Sequence, residues 1–485
     1  MLKFMEYSEN KIARNTSLFT LALVLQKLIS FIYFSYIAVK LGAGNLGSYT
    51  FALSFTTIFA VFIDLGLANV LIREAAKFKD KCQQYLGAVM ALKIPLALLT
   101  YTATIIAINF LSDKELVRQL VYLSGLIMLV DSFTLTFYAF LRGRQNLQFE
   151  AIGTIIFQLI VFISGVIIVN LTQDLRILIL AILIASLFNF IYSGILLKVK
   201  LGLKFFKAFD KSIIKSLVIF TIPFALAAIF TKVYAYIDTV FLHQLAGPEA
   251  VGYYSLPYKL TFSLQFIPMA FIASLYPAFS SYFVSNKQLL AKYFARGMVY
   301  LGLIAMPVTF GVIAIAQPLI FKIYTAEYLP SVLALQILIS SLPFLFLNFP
   351  LGALLNACDR QTRNTINIGI TMVVNIILNL ILIPRFSFIG AAIASSVSTV
   401  LMFVLQMIVA KQIVVINYSF LLKKLGVSLL AGLAMYLYII YLLPAISFIV
   451  LVPIGALIYL LILWLFKGIS KEEVVIFLQS VFKRV

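Results

Sequence analysis

The sequence has few polar and reactive residues. Among its 485 residues are 17 acidic residues, two cysteines, one histidine and one tryptophan, and only 11% of the chain is charged. Soluble domains usually carry about 25% charged residues, so this chain has too little polar surface to cover a soluble globule. One histidine and two cysteines also provide neither a metal-ligand pattern nor a disulfide framework.

Nucleotide-binding and catalytic motifs are also missing. No G-x-x-x-x-G-K-[ST] sequence occurs, which argues against ATP hydrolysis by this chain. Residues 42–47 match G-x-G-x-x-G, but they follow a hydrophobic run and lack the surrounding βαβ unit, so we interpret them as a tight turn. Segments between the hydrophobic runs are too short for a soluble catalytic domain. We therefore predict a protein that is not an enzyme and has no cofactor and no metal.

Hydrophobic residues make up 63% of the chain and fall in runs of about twenty residues, long enough for a helix to cross a bilayer. The alternating pattern of a membrane β-barrel is absent. We predict an all-α polytopic membrane protein with fourteen transmembrane helices. The predicted spans are 16–39, 47–69, 85–110, 117–140, 151–171, 176–197, 213–244, 253–279, 297–321, 331–355, 366–384, 388–410, 425–443 and 447–466.

Lysine and arginine residues concentrate in alternate loops, which sets the expected orientation. The basic set includes the N-terminal tail, the 70–84 loop, the 198–211 segment and the C-terminal tail. We predict a multi-pass protein of the cell (inner or cytoplasmic) membrane with both termini cytoplasmic. The net charge of +20 is spread over many short loops, so anionic lipid headgroups are the expected partner rather than nucleic acid.

The chain contains an internal repeat. An offset of 205 aligns Lys27 with Lys232 and residues 46–49 with 251–254, and an offset of 216 aligns 141–145 with 357–361. With six spans in each half, the halves run in the same direction, and a pseudo-two-fold axis along the membrane normal should relate them. We predict six-helix lobes at 1–205 and 206–410, then an extra helix pair and cytoplasmic tail at 411–485.

Lys27 and Lys232 are the main candidate site residues. A charge near the bilayer centre costs at least about 2.5–3.5 kcal/mol, so a cation that recurs in both halves is expected to line an internal cavity that attracts anions. Lys93 and Lys259 are further candidates, although either could reach the headgroup region instead. Helical spacing places Lys232, Tyr236, Thr239 and His243 on one stripe, which adds Tyr236 and His243 to the predicted substrate-binding set.

Three acidic residues lie within or at the edges of spans: Asp64, Asp131 and Asp238. Such residues are candidates for proton or cation coupling or for gating. The alternative is structural, because an acid and a lysine inside a helix bundle can pair without contacting substrate.

Several motifs together resemble one membrane protein family. They are residues 40–42 with 47–52, Asp64-Leu65-Gly66-Leu67, Arg73-Glu74-Ala75-Ala76, residues 141–146, and residues 379–384 with 390–394. In order and spacing they are similar to the polysaccharide flippases, the lipid-linked oligosaccharide or O-antigen type exporters of the multidrug/oligosaccharidyl-lipid/polysaccharide superfamily. The resemblance extends over essentially the whole chain.

This resemblance implies a V-shaped, two-lobed transporter. Its cargo would be an oligosaccharide on a polyprenyl pyrophosphate, moved from the cytoplasmic to the outer leaflet by alternating access. Family members carry cationic residues in a central cavity, and Lys27 and Lys232 occupy suitable positions here. The absence of a mid-span arginine argues against the peptidoglycan-precursor branch. The implied partners are the lipid-linked saccharide, membrane lipids and, as an open alternative, glycan polymerase or assembly proteins.

Three other functions stay open at this point. A drug or organic-cation exporter of the same superfamily would share the layout, but its cavity should carry acidic and aromatic groups. A membrane glycan polymerase or ligase would need a larger external loop with catalytic residues. A passive scaffold for glycan assembly would leave the paired lysines without a role.

Overall fold

The computed structural model describes residues 2–78, 80–202 and 211–468, and the regular secondary structure of these residues is helical. The predicted boundary at 205/206 and the tail after residue 468 lie outside the described residues. Residues Ala326–Tyr328 form a short 3-10 helix. The α-helices are α1 Leu2–Asp64, α2 Leu67–Lys77, α3 Cys82–Leu111, α4 Glu115–Gly143, α5 Leu147–Leu171, α6 Leu175–Leu201, α7 Lys211–Ser263, α8 Phe266–Ser285, α9 Lys287–Tyr324, α10 Ser331–Ser340, α11 Leu342–Ala357, α12 Gln361–Ala410, α13 Tyr418–Leu442 and α14 Phe448–Leu465.

Eleven helical stretches of the described chain are long and apolar enough to cross a membrane. Three of them contain a residue with non-helical backbone angles: Gly42, Gly247 and Ser387. Dividing these three stretches there gives fourteen segments, the number expected from hydrophobicity. The predicted all-α polytopic fold is confirmed.

Large apolar side chains cover much of the outer surface. Leu98, Leu437 and Trp464 are at least 60% exposed, and many other leucine, isoleucine and phenylalanine side chains are exposed in the same way. A soluble monomer rarely carries such continuous apolar surface, whereas lipid tails solvate it. The helices satisfy their own backbone hydrogen bonds, as segments in hydrocarbon must.

Contacts divide the chain into two units. The first contains residues 1–256 and 376–391, and the second contains 257–375 and 392–485. In the first unit, α2 packs through Val70 and Leu71 against Phe140 of α4. In the second unit, the core is built around α9 with α11, α13 and α14, and it includes Phe294, Leu351, Met435 and Tyr459.

The turns from α4 to α5 and from α11 to α12 have the same backbone geometry. A residue with positive φ follows each helix, Gln145 in the first case and Asp359 in the second. The next amide then donates to the carbonyl five residues earlier, from Asn146 to Leu141 and from Arg360 to Leu355. These equivalences fix an offset of 214. The alignment at 216 is therefore wrong by two residues, because it matched residue types while the turn geometry sets the register.

Candidate functional site

Two helical hairpins of the first unit correspond at an offset of 205. We call residues 19–64, which reverse at Gly42, the first hairpin, and residues 224–256, which reverse at Gly247, the second hairpin. Gly42 has φ 71° and ψ 170°, and Gly247 has φ 86° and ψ 173°. Both breaks need the positive φ that glycine adopts without strain. The repeat detected in the sequence is therefore also a repeat of backbone conformation.

The hairpins touch each other through equivalent residues. A Cβ added to Gly47 would collide with the Pro248 carbonyl, and a Cβ added to Gly252 would collide with the Ala43 carbonyl. Ala43 and Pro248 are equivalent at offset 205, as are Gly47 and Gly252. The two hairpins thus present the same surface to each other, as subunits do across a two-fold interface. We call this backbone contact the glycine contact.

The structure brings three candidate residues together. Lys27 is exposed and Lys232 is half-buried. The positive charge of Lys27 acts on that of Lys232, and the Lys232 Nζ lies 5.6 Å from the ring centre of Tyr236. A ring face at that distance favours the ammonium group. The two ammonium groups carry the same charge, so an anion near both would interact favourably with each.

Asp238 is held in a buried network of the first unit. Its side chain is 2% exposed and accepts hydrogen bonds from the Tyr254 hydroxyl at 2.7 Å and from the Asn379 amide at 2.6 Å. In a straight helix, residues 16 apart would be separated by about 24 Å, so the bond to Tyr254 requires the reversal at Gly247. Asn379 lies on α12, which places a third helix against the second hairpin.

The first hairpin makes the corresponding contact with different chemistry. Tyr33 is equivalent to Asp238, and Tyr49 is equivalent to Tyr254. The two tyrosine side chains lie beside each other and are buried. The same interhelical position therefore carries a phenol in one hairpin and a carboxylate in the other.

His243 does not lie in an open cavity in this conformation. It is 8% exposed, and its ring stacks on Phe51 of the first hairpin with centroids 3.8 Å apart and planes at 17°. Neither imidazole nitrogen has a hydrogen-bond partner among the described residues. Its predicted role in substrate binding stays a prediction, and the structure places it at the contact between the two hairpins.

Lys93 and Asp64 form an ion pair. The Lys93 Nζ lies 2.6 Å from Asp64 Oδ1, and it donates to the Ser132 carbonyl at 2.9 Å and to the Ser132 hydroxyl at 3.2 Å. Lys93 is fully buried. The other Asp64 oxygen accepts from the Gly66 amide, where the helix breaks. This arrangement matches the structural alternative considered for the sequence, and a substrate role for Lys93 stays a prediction.

The two remaining candidates are Asp131 and Lys259. Asp131 of α4 has an exposed side chain and directly precedes Ser132, the hydrogen-bond partner of Lys93. Lys259 is half-buried and belongs to the second unit.

Sequence reasoning missed Asn379, Phe51 and the glycine contact. Asn379 carries a usable signal, because an amide within an apolar span needs a hydrogen-bond partner. Phe51 has no such signal among 44 phenylalanines. Gly47 and Gly252 were aligned in the repeat, but nothing in the sequence indicated that they touch each other.

Two protein families match this chain. The family described as polysaccharide biosynthesis protein matches residues 12–283, and the MatE family matches residues 223–381. The chain is 24% identical over 369 residues to the capsular polysaccharide biosynthesis protein CapF of Staphylococcus aureus, covering 75% of this chain and 90% of CapF. It is 30% identical over 178 residues to the probable flippase AglR of Haloferax volcanii, covering 35% of this chain and 36% of AglR.

The fold is similar to that of the lipid II flippase MurJ in an inward closed conformation. The TM-score is 0.76 at 17% identity, and the match covers 93% of this chain and 98% of the MurJ chain. At this identity the likeness establishes the fold alone, an all-α polytopic transporter architecture.

Proposed function

The chain belongs to the polysaccharide biosynthesis protein family, among the flippases of the multidrug/oligosaccharidyl-lipid/polysaccharide exporter superfamily, and from that premise we propose its cargo and route. It moves a polyprenyl-pyrophosphate-linked oligosaccharide from the cytoplasmic to the outer leaflet by alternating access through a cationic central cavity. The coarser conclusion, a membrane transporter of the flippase class, rests on the family and on its relatives. The cargo and the cavity are the proposal.

The recurrence of a lysine at equivalent positions of the internal repeat, Lys27 and Lys232, is the observation that carries this proposal. Lys27 is exposed and Lys232 is half-buried, and an anion bound near both would interact favourably with each positive charge. A pyrophosphate has several negative charges and suits the compact ammonium groups of lysine. Tyr236 beside Lys232 supplies an aromatic face for a sugar ring.

The cavity also relieves the cost of moving the glycan. Its hydroxyl groups and the pyrophosphate charges would lose their water in hydrocarbon, which costs several kcal/mol for each unpaired polar group. Asp131 stays a proposed residue for coupling or gating. Asp238 remains the buried acid proposed for coupling or gating. Asp64 and Lys93 form an ion pair, and their proposed roles, in coupling or gating for Asp64 and in substrate binding for Lys93, stay predictions.

The predicted organisation completes the proposal. The lobes are 1–205 and 206–410, the segment 411–485 is an added helix pair and tail, and both termini are cytoplasmic. The polyprenyl tail stays in lipid while the lobes rock about the bound headgroup. Lys259, in the second unit, stays a predicted contributor to the cavity.

An organic-cation exporter is the second candidate, because the MatE family matches residues 223–381. The paired lysines argue against it, since they would repel a cationic cargo. An enzyme that polymerises or ligates glycans has less support, because the relative AglR is named a probable flippase.

The test is complementation of a flippase-deficient strain that makes this protein's own lipid-linked glycan. Lys27→Ala and Lys232→Ala should each lower surface glycan at least about tenfold at matched membrane expression, and arginine at either position should restore part of it. Lys40→Ala is the matched control, because Lys40 is exposed at the turn of the first hairpin and should change export less than about twofold.

Ethidium efflux in the same strains separates the two candidates. Full glycan export in both alanine variants contradicts the cationic cavity. Efflux of ethidium that increases when the lysines are removed supports the organic-cation exporter instead.

A further inference from the structure

We propose that the glycine contact is the outer closure of the transport path and that the His243–Phe51 stack is its second layer. The inference rests on the proposed transport function and on the predicted orientation, which places Gly42 and Gly247 on the external side. It assigns to His243 a role in closing the path rather than in binding the cargo.

The glycine contact is a backbone contact that a side chain cannot replace. The Cβ of an alanine at Gly47 would meet the Pro248 carbonyl and lie 3.0 Å from the Gly252 amide nitrogen, and an alanine at Gly252 would meet the Ala43 carbonyl and lie 2.8 Å from the Ala43 Cα. Main-chain atoms cannot rotate away as a side chain can. An alanine at either position therefore forces the hairpins apart.

A contact of this kind closes a path and still separates easily. The atoms nearest to each glycine are main-chain atoms of the other hairpin, so the contact there does not interlock side chains. The second hairpin is braced internally by the Asp238–Tyr254 bond, and in the first hairpin Tyr33 lies beside Tyr49. Each hairpin can then move as a rigid piece, and opening requires only that the two surfaces part.

The His243–Phe51 stack lies about one helical turn inside the glycine contact. His243 precedes Gly247 by four residues, and Phe51 follows Gly47 by four. The stack fills the space between the hairpins, but it buries two imidazole nitrogens without a hydrogen-bond partner among the described residues. Opening would hydrate both nitrogens, so the polar ring weakens the closed state that its stacking forms. A phenylalanine in place of His243 would keep the stacking area and remove that weakness.

Accessibility to a reagent from outside tests the closure without any cargo. The reporter is Thr239→Cys, in a chain where Cys82 and Cys358 are replaced by alanine. Thr239 is 7% exposed and lies one turn further inward than His243 on the same helix. A membrane-impermeant maleimide is added to intact cells, and the labelling rate of the folded protein is measured.

Gly47→Ala and Gly252→Ala should each raise the labelling rate about tenfold, as expected if the open population rises from about 1% to about 10%. Gly44→Ala is the matched control: Gly44 lies in the same hairpin, an added Cβ there meets nothing within 4 Å, and the rate should stay within about twofold of the parent. His243→Phe should slow labelling about threefold, in the opposite direction to the glycine variants.

Equal rates in Gly47→Ala, Gly252→Ala and Gly44→Ala would overturn the glycine contact as the closure. Faster labelling only from the cytoplasmic side, in inverted vesicles, would overturn its assignment to the outer face. If the glycine variants fail to fold, His243→Phe still decides, because an unchanged or faster rate contradicts the second layer. The lysine variants test the cargo separately, so a working closure with full export in Lys27→Ala would reject the proposed function alone.

Discussion

The first and second hairpins have similar backbone conformations but different charged residues. Both reverse at a glycine, both carry a lysine at the same register, and both place a tyrosine at the position of Tyr49 and Tyr254. They differ where Tyr33 is matched by Asp238. The shared residues build a symmetric contact and a cation pair, whereas the buried acid in that network belongs to the second hairpin alone. The repeat therefore explains the symmetric backbone contact, and Asp238 is the position where the two hairpins differ in charge.

The turns after α4 and α11 also share a backbone conformation and differ in their polar side chains. At the offset of 214, Arg142 corresponds to Asn356 and Glu150 to Asn364. Arg142 and Glu150 form an ion pair, whereas the Asn364 amide donates to the Asn356 side-chain oxygen at 3.2 Å. The same contact across eight residues is charged in the first unit and neutral in the second. Backbone geometry is thus retained between the repeats while the polarity of the bridge changes.

The largest expected effect is on the free energy of unfolding, and it concerns the ion pair between Asp64 of the first hairpin and Lys93. Lys93→Met leaves Asp64 unpaired in a mostly buried position and should lower the free energy of unfolding by about 3–5 kcal/mol. The double variant Lys93→Met/Asp64→Asn should recover most of this loss, because no uncompensated charge remains. Thermal unfolding in detergent measures both. A double variant no more stable than the single would show that packing, and not the charge, is responsible.

The next effect tests the difference between Asp238 and Tyr33. Asp238→Asn keeps the size of the side chain and can still bond to Tyr254 and Asn379, but it removes the charge. If Asp238 couples or gates transport, glycan export should fall about tenfold or more while the protein stays folded. The matched change in the first hairpin, Tyr33→Phe, should leave export within about twofold. Equal losses in the two variants would mean that the acid has no role beyond packing.

The smallest effect comes from making the two turns alike. Arg142→Asn/Glu150→Asn gives the first unit the amide pair of the second, and it should change the free energy of unfolding by less than about 1 kcal/mol, because a well-made polar pair can replace an ion pair at little cost. Arg142→Asn alone should cost more, since it leaves the buried Glu150 carboxylate unpaired. Chemical or thermal unfolding compares the two. A double variant as unstable as the single would show that the turns are not interchangeable.

Much of the fold was predictable because it depends on local properties. A run of apolar residues long enough to cross the bilayer becomes a helix whatever its neighbours are, since hydrocarbon offers no other partner for the backbone. The fourteen segments and the family follow from such runs and from short motifs. The lysine pair was found from the internal repeat, and its role in binding stays a prediction. The lobe boundaries also stay predictions.

The contacts that define the candidate site were not predictable in the same way. Asp238 and Asn379 lie 141 residues apart, and their bond depends on how two helices are rotated about their axes. His243 looked like a cavity residue from its helical stripe, yet its ring lies on Phe51. Gly47 reads as a turn residue until its contact with Pro248 is known.

The sequence by itself determined the class of protein, the number of membrane segments and the repeat that pairs Lys27 with Lys232, because each depends on hydrophobicity, length and residue order along one stretch of chain. Only the tertiary structure decided that Lys93 is neutralised by Asp64, that Asp238 is bound by Tyr254 and Asn379, and that two glycines bring the hairpins into backbone contact. The physical reason is that apolar helices in lipid are equally stable over many rotations about their own axes, and packing against other helices selects which side chains meet.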